Sequence, residues 1–155
     1  MDHLTKVQHT LDAQFGRGAH RSLPPDAVIE RSKRTGRIRG IRDGQGCLLG
    51  TLRPDGGLAI TVRFAGMLLK RHRGFASYCV AVGQDAVPFV EQGRSVFCRH
   101  VVKCGRNVRA HSDTPVLYGE RVIAVGRALL PCEIISDMER GVAVRVRHGL
   151  KSRSG

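Results

Sequence analysis

The chain has 155 residues, enough for one ordinary domain or two small ones sharing an interface, and with 41% hydrophobic and 25% charged residues it reads as a folding sequence. Lys and Arg number 26 against 13 Asp and Glu, a formal charge of +13, and 21 of the 26 are arginine, whose planar fork binds phosphate bidentately and stacks on bases. No apolar run could span a membrane and MDHLTKVQHTL lacks the apolar core of a secretion signal, so a cytoplasmic location and an anionic polymer as partner are expected, with a basic surface kept for solubility as the bland alternative.

The segment LTKVQHTLDAQF puts Leu4, Val7, Leu11 and Phe15 at helical spacing, which predicts an amphipathic helix stopped by Gly16 and Gly18. AHRSLPPDA is a loop, because Pro24 and Pro25 force extended backbone. From Val28 to Pro54 the pattern reads strand, turn, strand, turn, strand, with Thr35-Gly36 and Asp43-Gly44 as the hairpin signals. A further strand is predicted from Leu58 to Phe64, and helical spacing from Ala65 to Lys70 ahead of the basic run KRHR. This half is therefore one or two helices on a small antiparallel sheet.

The pattern restarts around Gly74 to Ser77. Tyr78 to Val82 is a strand, and Asp85 caps a short helix that carries Pro88 in its first turn and ends at Gly93. Arg94 to Cys104 alternates as one strand, a weak strand lies near Asn107 to Ala110, and Val116 to Tyr118 with Arg121 to Leu130 forms a hairpin. Glu133 to Glu139 is a second short helix, Gly141 to Val146 a last strand, and KSRSG a disordered tail. The order is β-α-β-β-β-β-α-β.

Five cysteines, at 47, 79, 98, 104 and 132, form an odd set with no C-x-x-C pair, so no zinc ribbon is expected. Cys98, His100 and Cys104 share a face of an alternating strand, but buried thiols are the stronger reading, and no metal or other cofactor is expected. Asp85 with Glu91 and Cys98 with His100 lack a third orienting group, and no phosphate-binding glycine loop is present, so an enzyme is not expected.

The blocks DAVPFVEQGRSVF (from Asp85), AVGRALL (from Ala124) and RGVAVRVR (from Arg140) resemble, in order and spacing, the PUA domain, a small RNA-binding pseudo-barrel. QFGRGA (Gln14 to Ala19), SKRTGRIR (Ser32 to Arg39) and LLGTLRPDGGL (Leu48 to Leu58) are similar to the domain that precedes PUA in the archaeal archaeosine tRNA-guanine transglycosylase. The resemblance implies an α+β chain in which residues 1–74 form a pre-PUA domain of helix and small antiparallel sheet, residues 75–150 a mixed PUA pseudo-barrel with two short helices, and residues 151–155 the tail. In the family these modules follow a catalytic barrel and hold tRNA near the acceptor stem and 3′ end. Neither that barrel nor its zinc-ligand cluster is in this chain, which implies a non-catalytic tRNA-binding accessory or split subunit for base modification, with a separately encoded catalytic partner. A translation- or ribosome-associated PUA interaction protein is the alternative. Where the family has a Pro-Gly-Asp type turn, this chain has Ala110-His111-Ser112-Asp113 and Pro115, so the strand there is expected to start late or lie at an edge.

Gly93, Arg94 and Ser95 lead the candidates for RNA contact. A glycine where helix meets strand admits a ribose-phosphate to the backbone, the corner contacts RNA in PUA domains, and the plain alternative is a helix stop. Arg99, Lys103, Arg127, Arg145 and Arg147 are expected to line a strand-borne basic face, or else a solvated one. Phe89 is a core ring, the reading favoured by the scarcity of aromatics, or a platform for an unpaired base. Lys33, Arg34, Arg37 and Arg39 straddle one hairpin turn as a phosphate grip or an exposed ribbon.

Overall fold

Helix α1 (His3–Phe15) begins where Asp2 accepts a hydrogen bond from the Thr5 amide at 2.7 Å, and ends at Gly16, whose φ of +98° only glycine adopts easily. Val7, Leu11 and Phe15 form its buried stripe, while Leu4 stays exposed. The computed structural model describes residues 2–152. A 3-10 turn over Ala19–Ser22 occupies part of the expected loop. Strands β1 (Val28–Arg31), β2 (Ile38–Arg42), β3 (Leu48–Leu52) and β4 (Leu58–Ile60) then form an antiparallel meander in chain order.

The strand expected from Leu58 to Phe64 stops at Ile60. Thr61 accepts a hydrogen bond from the Phe64 amide at 3.2 Å and donates to the Leu48 carbonyl at 3.0 Å, so it caps helix α2 (Val62–Arg71) while holding it to β3. Helix α2 buries Phe64, Ala65 and Leu68, and lies against the strand Arg121–Ala128 of the second sheet.

Strands β5 (Val80–Val82), β6 (Val96–Phe97), β7 (Val101–Cys104), β8 (Asp113–Tyr118), β9 (Arg121–Ala128) and β10 (Val142–Gly149) form a second sheet in the order β6-β10-β9-β8-β5-β7. All pairings are antiparallel except β5 with β8. Short helices α3 (Val87–Glu91) and α4 (Cys132–Ile135) complete it. The single strand expected from Arg94 to Cys104 is broken by a 3-10 turn at Cys98–His100. That break makes the barrel: β6 and β7 are the two edges of the sheet, and three residues of chain join them, so the sheet must curl until its edges meet. The fold class is the expected one, a small antiparallel sheet with helices followed by a nearly closed mixed barrel.

Five local expectations are corrected. Residues 107–110 form turns rather than a strand, and the predicted element order survives only because the broken strand supplies the extra one. Asp85 lies inside a 3-10 turn at Gln84–Ala86 and makes no cap, while Pro88 does sit in the first turn of α3. Helix α4 is confined to the start of the predicted stretch. Strand β8 starts at Asp113, early rather than late: Pro115 pairs only with Val125 of β9, because the ladder to β5 begins one residue later at Val116. Lys151 and Ser152, expected as tail, are tied down through Lys151 N–H to the Glu91 carbonyl at 2.8 Å and the Ser152 hydroxyl to Gly149; the rest of that tail, residues 153–155, lies outside the described residues.

Two cores result. One fills the barrel, with Val80, Val116, Ile123 and Val144 fully buried. The other joins α1, α2 and the meander to Phe75, Cys79 and the outward side chains Leu117, Val122 and Val125 of the barrel. Strands β8 and β9 are thus covered on both faces, which is why Val122 to Val125 is a continuous apolar run.

Candidate nucleic-acid interface

Gly93, Arg94 and Ser95 form the corner between α3 and β6. Helix α3 ends with Gly93 N–H on the Val90 carbonyl at 3.0 Å and Arg94 N–H on the Phe89 carbonyl at 3.1 Å, the paired bonds of a glycine-terminated helix, with Gly93 at φ +98°. This turn throws Arg94 back over α3, where its guanidinium carbon lies 5.9 Å from the centroid of the Phe89 ring. Across the corner, Arg99 sits 5.7 Å from the Phe97 ring, and His100 meets the same ring edge-on at 5.9 Å. Phe89, Arg94, Ser95, Phe97, Arg99 and His100 together line a cavity of about 240 Å³.

Phe89 is no core ring. It is 53% exposed and Phe97 is 43% exposed, in a protein whose Phe15, Phe64 and Phe75 are all buried. Two aromatic faces left in solvent, each with an arginine above it, can stack bases and hold the phosphates between them. Phe97 was missed by sequence reasoning because an alternating strand predicted nothing special of it; its place two residues after Ser95, across from Phe89, is visible only once the chain turns at Cys98.

The five-residue basic face does not form. Arg99 joins the aromatic cavity, whereas Lys103 sits on edge strand β7 and lines a separate cavity with Lys70. Arg127 donates from Nε at 3.2 Å and Nη2 at 3.0 Å to the carbonyl of His111, a residue held at φ +70°. Arg147 occupies a bulge in β10 and donates to the Ile60 carbonyl of the meander. Burial there lowers its pKa from the ordinary guanidinium value, with Asp113 opposing the shift. Arg145, directly across the ladder from Arg127, remains exposed without a side-chain partner among the described residues, as does Lys103.

Arg127 and Arg147 belong instead to a joint between the two sheets. Asp113, 9% exposed, accepts from Gln14 Nε2 of α1 at 2.7 Å and from Arg53 of the β3–β4 turn. Gln14 also accepts from the Leu58 amide at 2.7 Å and donates to the Leu58 carbonyl at 3.0 Å. Burial opposes the charge of Arg53, but the carboxylates of Asp113 and Asp55 outweigh it and raise its pKa. The segments QFGRGA and LLGTLRPDGGL thus carry residues that lock the two parts together.

Lys33, Arg34, Arg37 and Arg39 are all exposed around the β1–β2 turn and form no ion pair among the described residues, an arrangement open to phosphate but remote in sequence from the aromatic cavity. Glu91, far from forming an acid pair with Asp85, is engaged by Lys151 at 3.1 Å and Arg121 at 3.7 Å. Cys98 is buried at the turn and Cys104 lies on the far side of it, where burial and Cys132 push its thiol up to about 12. No group of three or more His, Cys, Asp or Glu able to hold a metal occurs among the described residues, and no described helix is long and apolar enough to cross a membrane.

Comparison with known proteins agrees with this architecture. Residues 78–150 match the PUA domain, and residues 5–72 match the patch-forming domain C2 of tRNA-guanine transglycosylase. The tRNA-guanine(15) transglycosylase of Methanothermobacter thermautotrophicus is 35% identical over 151 residues, 96% of this chain, and that of Methanobrevibacter smithii 35% over 152 residues, 97% of it. In both cases the chain spans 23% of the relative's length, so the match concerns that part of the enzymes alone. Among solved structures, a hypothetical protein of Pyrococcus horikoshii superposes with a TM-score of 0.70 at 19% identity, covering 97% of this chain and 91% of that one. A PUA domain protein of Aeropyrum pernix gives 0.69 at 19%, covering 96% and 82%. These two likenesses concern the fold. The chain is thus a PUA-domain protein with a transglycosylase-type C2 domain, similar over nearly all its length to the C-terminal part of the archaeal tRNA-guanine(15) transglycosylases.

Proposed function

We propose that this protein binds tRNA without itself catalysing a reaction, holding the acceptor stem and single-stranded 3′ end in the cytoplasm during base modification. The catalytic step falls, on this reading, to a separate transglycosylase-type partner. One observation carries the reading: the cavity in which exposed Phe89 and Phe97 face Arg94 and Arg99. Rings and guanidinium planes of this kind suit unpaired nucleotides, whose bases can leave the stack and whose phosphates stay accessible. A duplex end offers no such bases.

The test compares binding of the purified protein to intact tRNA, to tRNA lacking its 3′ single strand, and to a length-matched duplex, each across a salt series. Intact tRNA is expected to bind tightest, with the preference surviving at moderate salt. Phe89→Ala should weaken it about tenfold, because base–aromatic stacking is worth about 1–3 kcal/mol per base. Phe89 is a better probe than Gly93, where any side chain would strain the helix stop. Equal binding to all three RNAs, vanishing together as salt rises, would reduce the interaction to net charge and defeat the proposal. The absence of a catalytic role has its own check: the protein alone should leave the nucleoside masses of tRNA unchanged.

A further inference from the structure

A second basic site lies at the opposite end of the β5–β7 strand pair. The loop after α1, the C-terminal end of α2 and the turn after β7 enclose a cleft of about 490 Å³, reached by Arg17, Arg21, Arg71, Arg73 and Arg106, and no acidic residue lines it. These five come from three stretches far apart in sequence, so the clustering is a product of the fold and not of one charge run. Arg71 makes one long hydrogen bond, 3.5 Å to the Ser22 carbonyl, and the other four make neither a side-chain hydrogen bond nor an ion pair among the described residues. Elsewhere arginines such as Arg53 and Arg63 are engaged by carboxylates.

The walls are fixed. His72 Nε2 is 2.7 Å from the Phe15 carbonyl, tying the end of α2 to the end of α1. Gly16, at φ +98°, lets the loop lie against Tyr78: a Cβ there would stand 3.2 Å from the Tyr78 hydroxyl. On the barrel side a Cβ on Gly105 would come within 2.2 Å of the Ser77 carbonyl, so the chain carrying Arg106 is pressed against the start of β5. Convergent like charges held on a rigid frame, with low-dielectric aromatic walls beneath, focus a field that favours an anion.

We propose that this cleft grips the phosphate backbone of the helical part of the same RNA whose unpaired end enters the aromatic cavity. The inference rests on the tRNA-binding reading above and names a second contact within it. Strand β7 connects the two sites, with Arg99 and His100 just before it and Arg106 just after. Its four residues span about 13 Å at 3.3 Å each, and a turn lies at either end. Lys103 is exposed along that edge. An RNA helix carries a phosphate on each strand every few ångströms, so a stem leaving the aromatic cavity can lay phosphates along β7 and into the cleft.

The experiment uses the full chain with Arg73→Gln/Arg106→Gln, two arginines with no partner to lose, against Lys6→Gln/Arg140→Gln, which removes the same charge from exposed positions outside both sites. Thermal melts should be alike for both variants and the wild type. Affinity for a tRNA transcript, for the same transcript without its 3′ single strand, and for an acceptor-arm duplex is read from about 50 to 200 mM salt. The cleft variant is expected to bind all three RNAs at least tenfold more weakly at the low-salt end. Its log–log salt slope should be shallower by about 0.7–0.9 for each phosphate that the protein no longer neutralises. The matched-charge variant should stay within twofold of the wild type. Equal behaviour of the two variants overturns the cleft proposal while leaving end recognition standing. Loss of discrimination between intact and trimmed tRNA in the wild type overturns end recognition, and the comparison of the variants still decides the cleft. Failure of the wild type to bind any of the three overturns both.

Discussion

At Arg127 the guanidinium holds the carbonyl of His111, a non-glycine residue at φ +70°, where side-chain and backbone sterics disfavour the conformation. Arg99 points over an exposed ring instead. The two arginines should therefore separate under mutation. Arg127→Ala is expected to lower stability by about 1 kcal/mol, the scale of a half-exposed charged hydrogen bond, while leaving RNA affinity within twofold. Arg99→Gln should do the reverse. Chemical denaturation and RNA titration of both variants check this, and a large loss of RNA binding in Arg127→Ala would return that residue to the interface. Sequence identified both as arginines on strands, yet neither the His111 turn nor the Phe97 ring can be paired with them by spacing alone. Arg145 and Arg147 show the same limit: alternation put them on one side of the last strand, but a bulge and the Ile60 carbonyl decide where the second one ends.

Among the elements, β8 does more than its short length suggests. Asp113 starts it, and through Gln14 and Arg53 it links the barrel to α1 and to the meander. Removal of a carboxylate that answers a guanidinium and an amide in a mostly dry joint leaves Arg53 with Asp55 alone and the Gln14 amide with the Leu58 carbonyl alone. Asp113→Ala is thus expected to cost on the order of 3 kcal/mol, seen as a lower urea midpoint. Gln14→Ala should cost less, since Arg53 and Asp113 stay paired. The break between β6 and β7 was hidden for a different reason. Residues 94–104 alternate well enough for one strand, and only the requirement that the sheet edges meet bends the chain at Cys98. Helix α2 tells the opposite story, for Thr61 is a capping residue in the sequence itself and the extended reading overrode it.

For the whole molecule, the carboxylates that fasten turns set its response to acid. Burial opposes the ionisation of Asp43, but the amides of Cys47 and Gln45 and the guanidinium of Arg63 outweigh it and hold its pKa below the usual carboxylate value. The Gly57 amide and then Arg53 do the same for Asp55. A folded pKa below the unfolded one means that the stabilisation is complete above the unfolded value and is lost as pH falls through the folded one. Melting temperature is expected to fall as the pH drops below about 4, with Asp43→Asn lowering it at neutral pH and flattening that acid limb. Thermal melts from neutral to strongly acidic pH test it; an Asp43→Asn protein as acid-sensitive as the wild type would show that this turn is not where the protons bind.

Fold class followed from the sequence because its signals are local. Helical spacing in α1, glycine turns between short strands, and a proline in the first turn of α3 constrain the backbone wherever the rest of the chain lies, and the blocks around Asp85, Ala124 and Arg140 carried the family resemblance. The arginine excess likewise named an anionic partner without any contact being known. Which arginines are free to meet that partner was decided by tertiary structure. A guanidinium binds whatever acceptor comes within reach, and only folding determines whether that acceptor is the His111 carbonyl, the Asp113 carboxylate or the open space of a cleft that draws Arg17, Arg73 and Arg106 together.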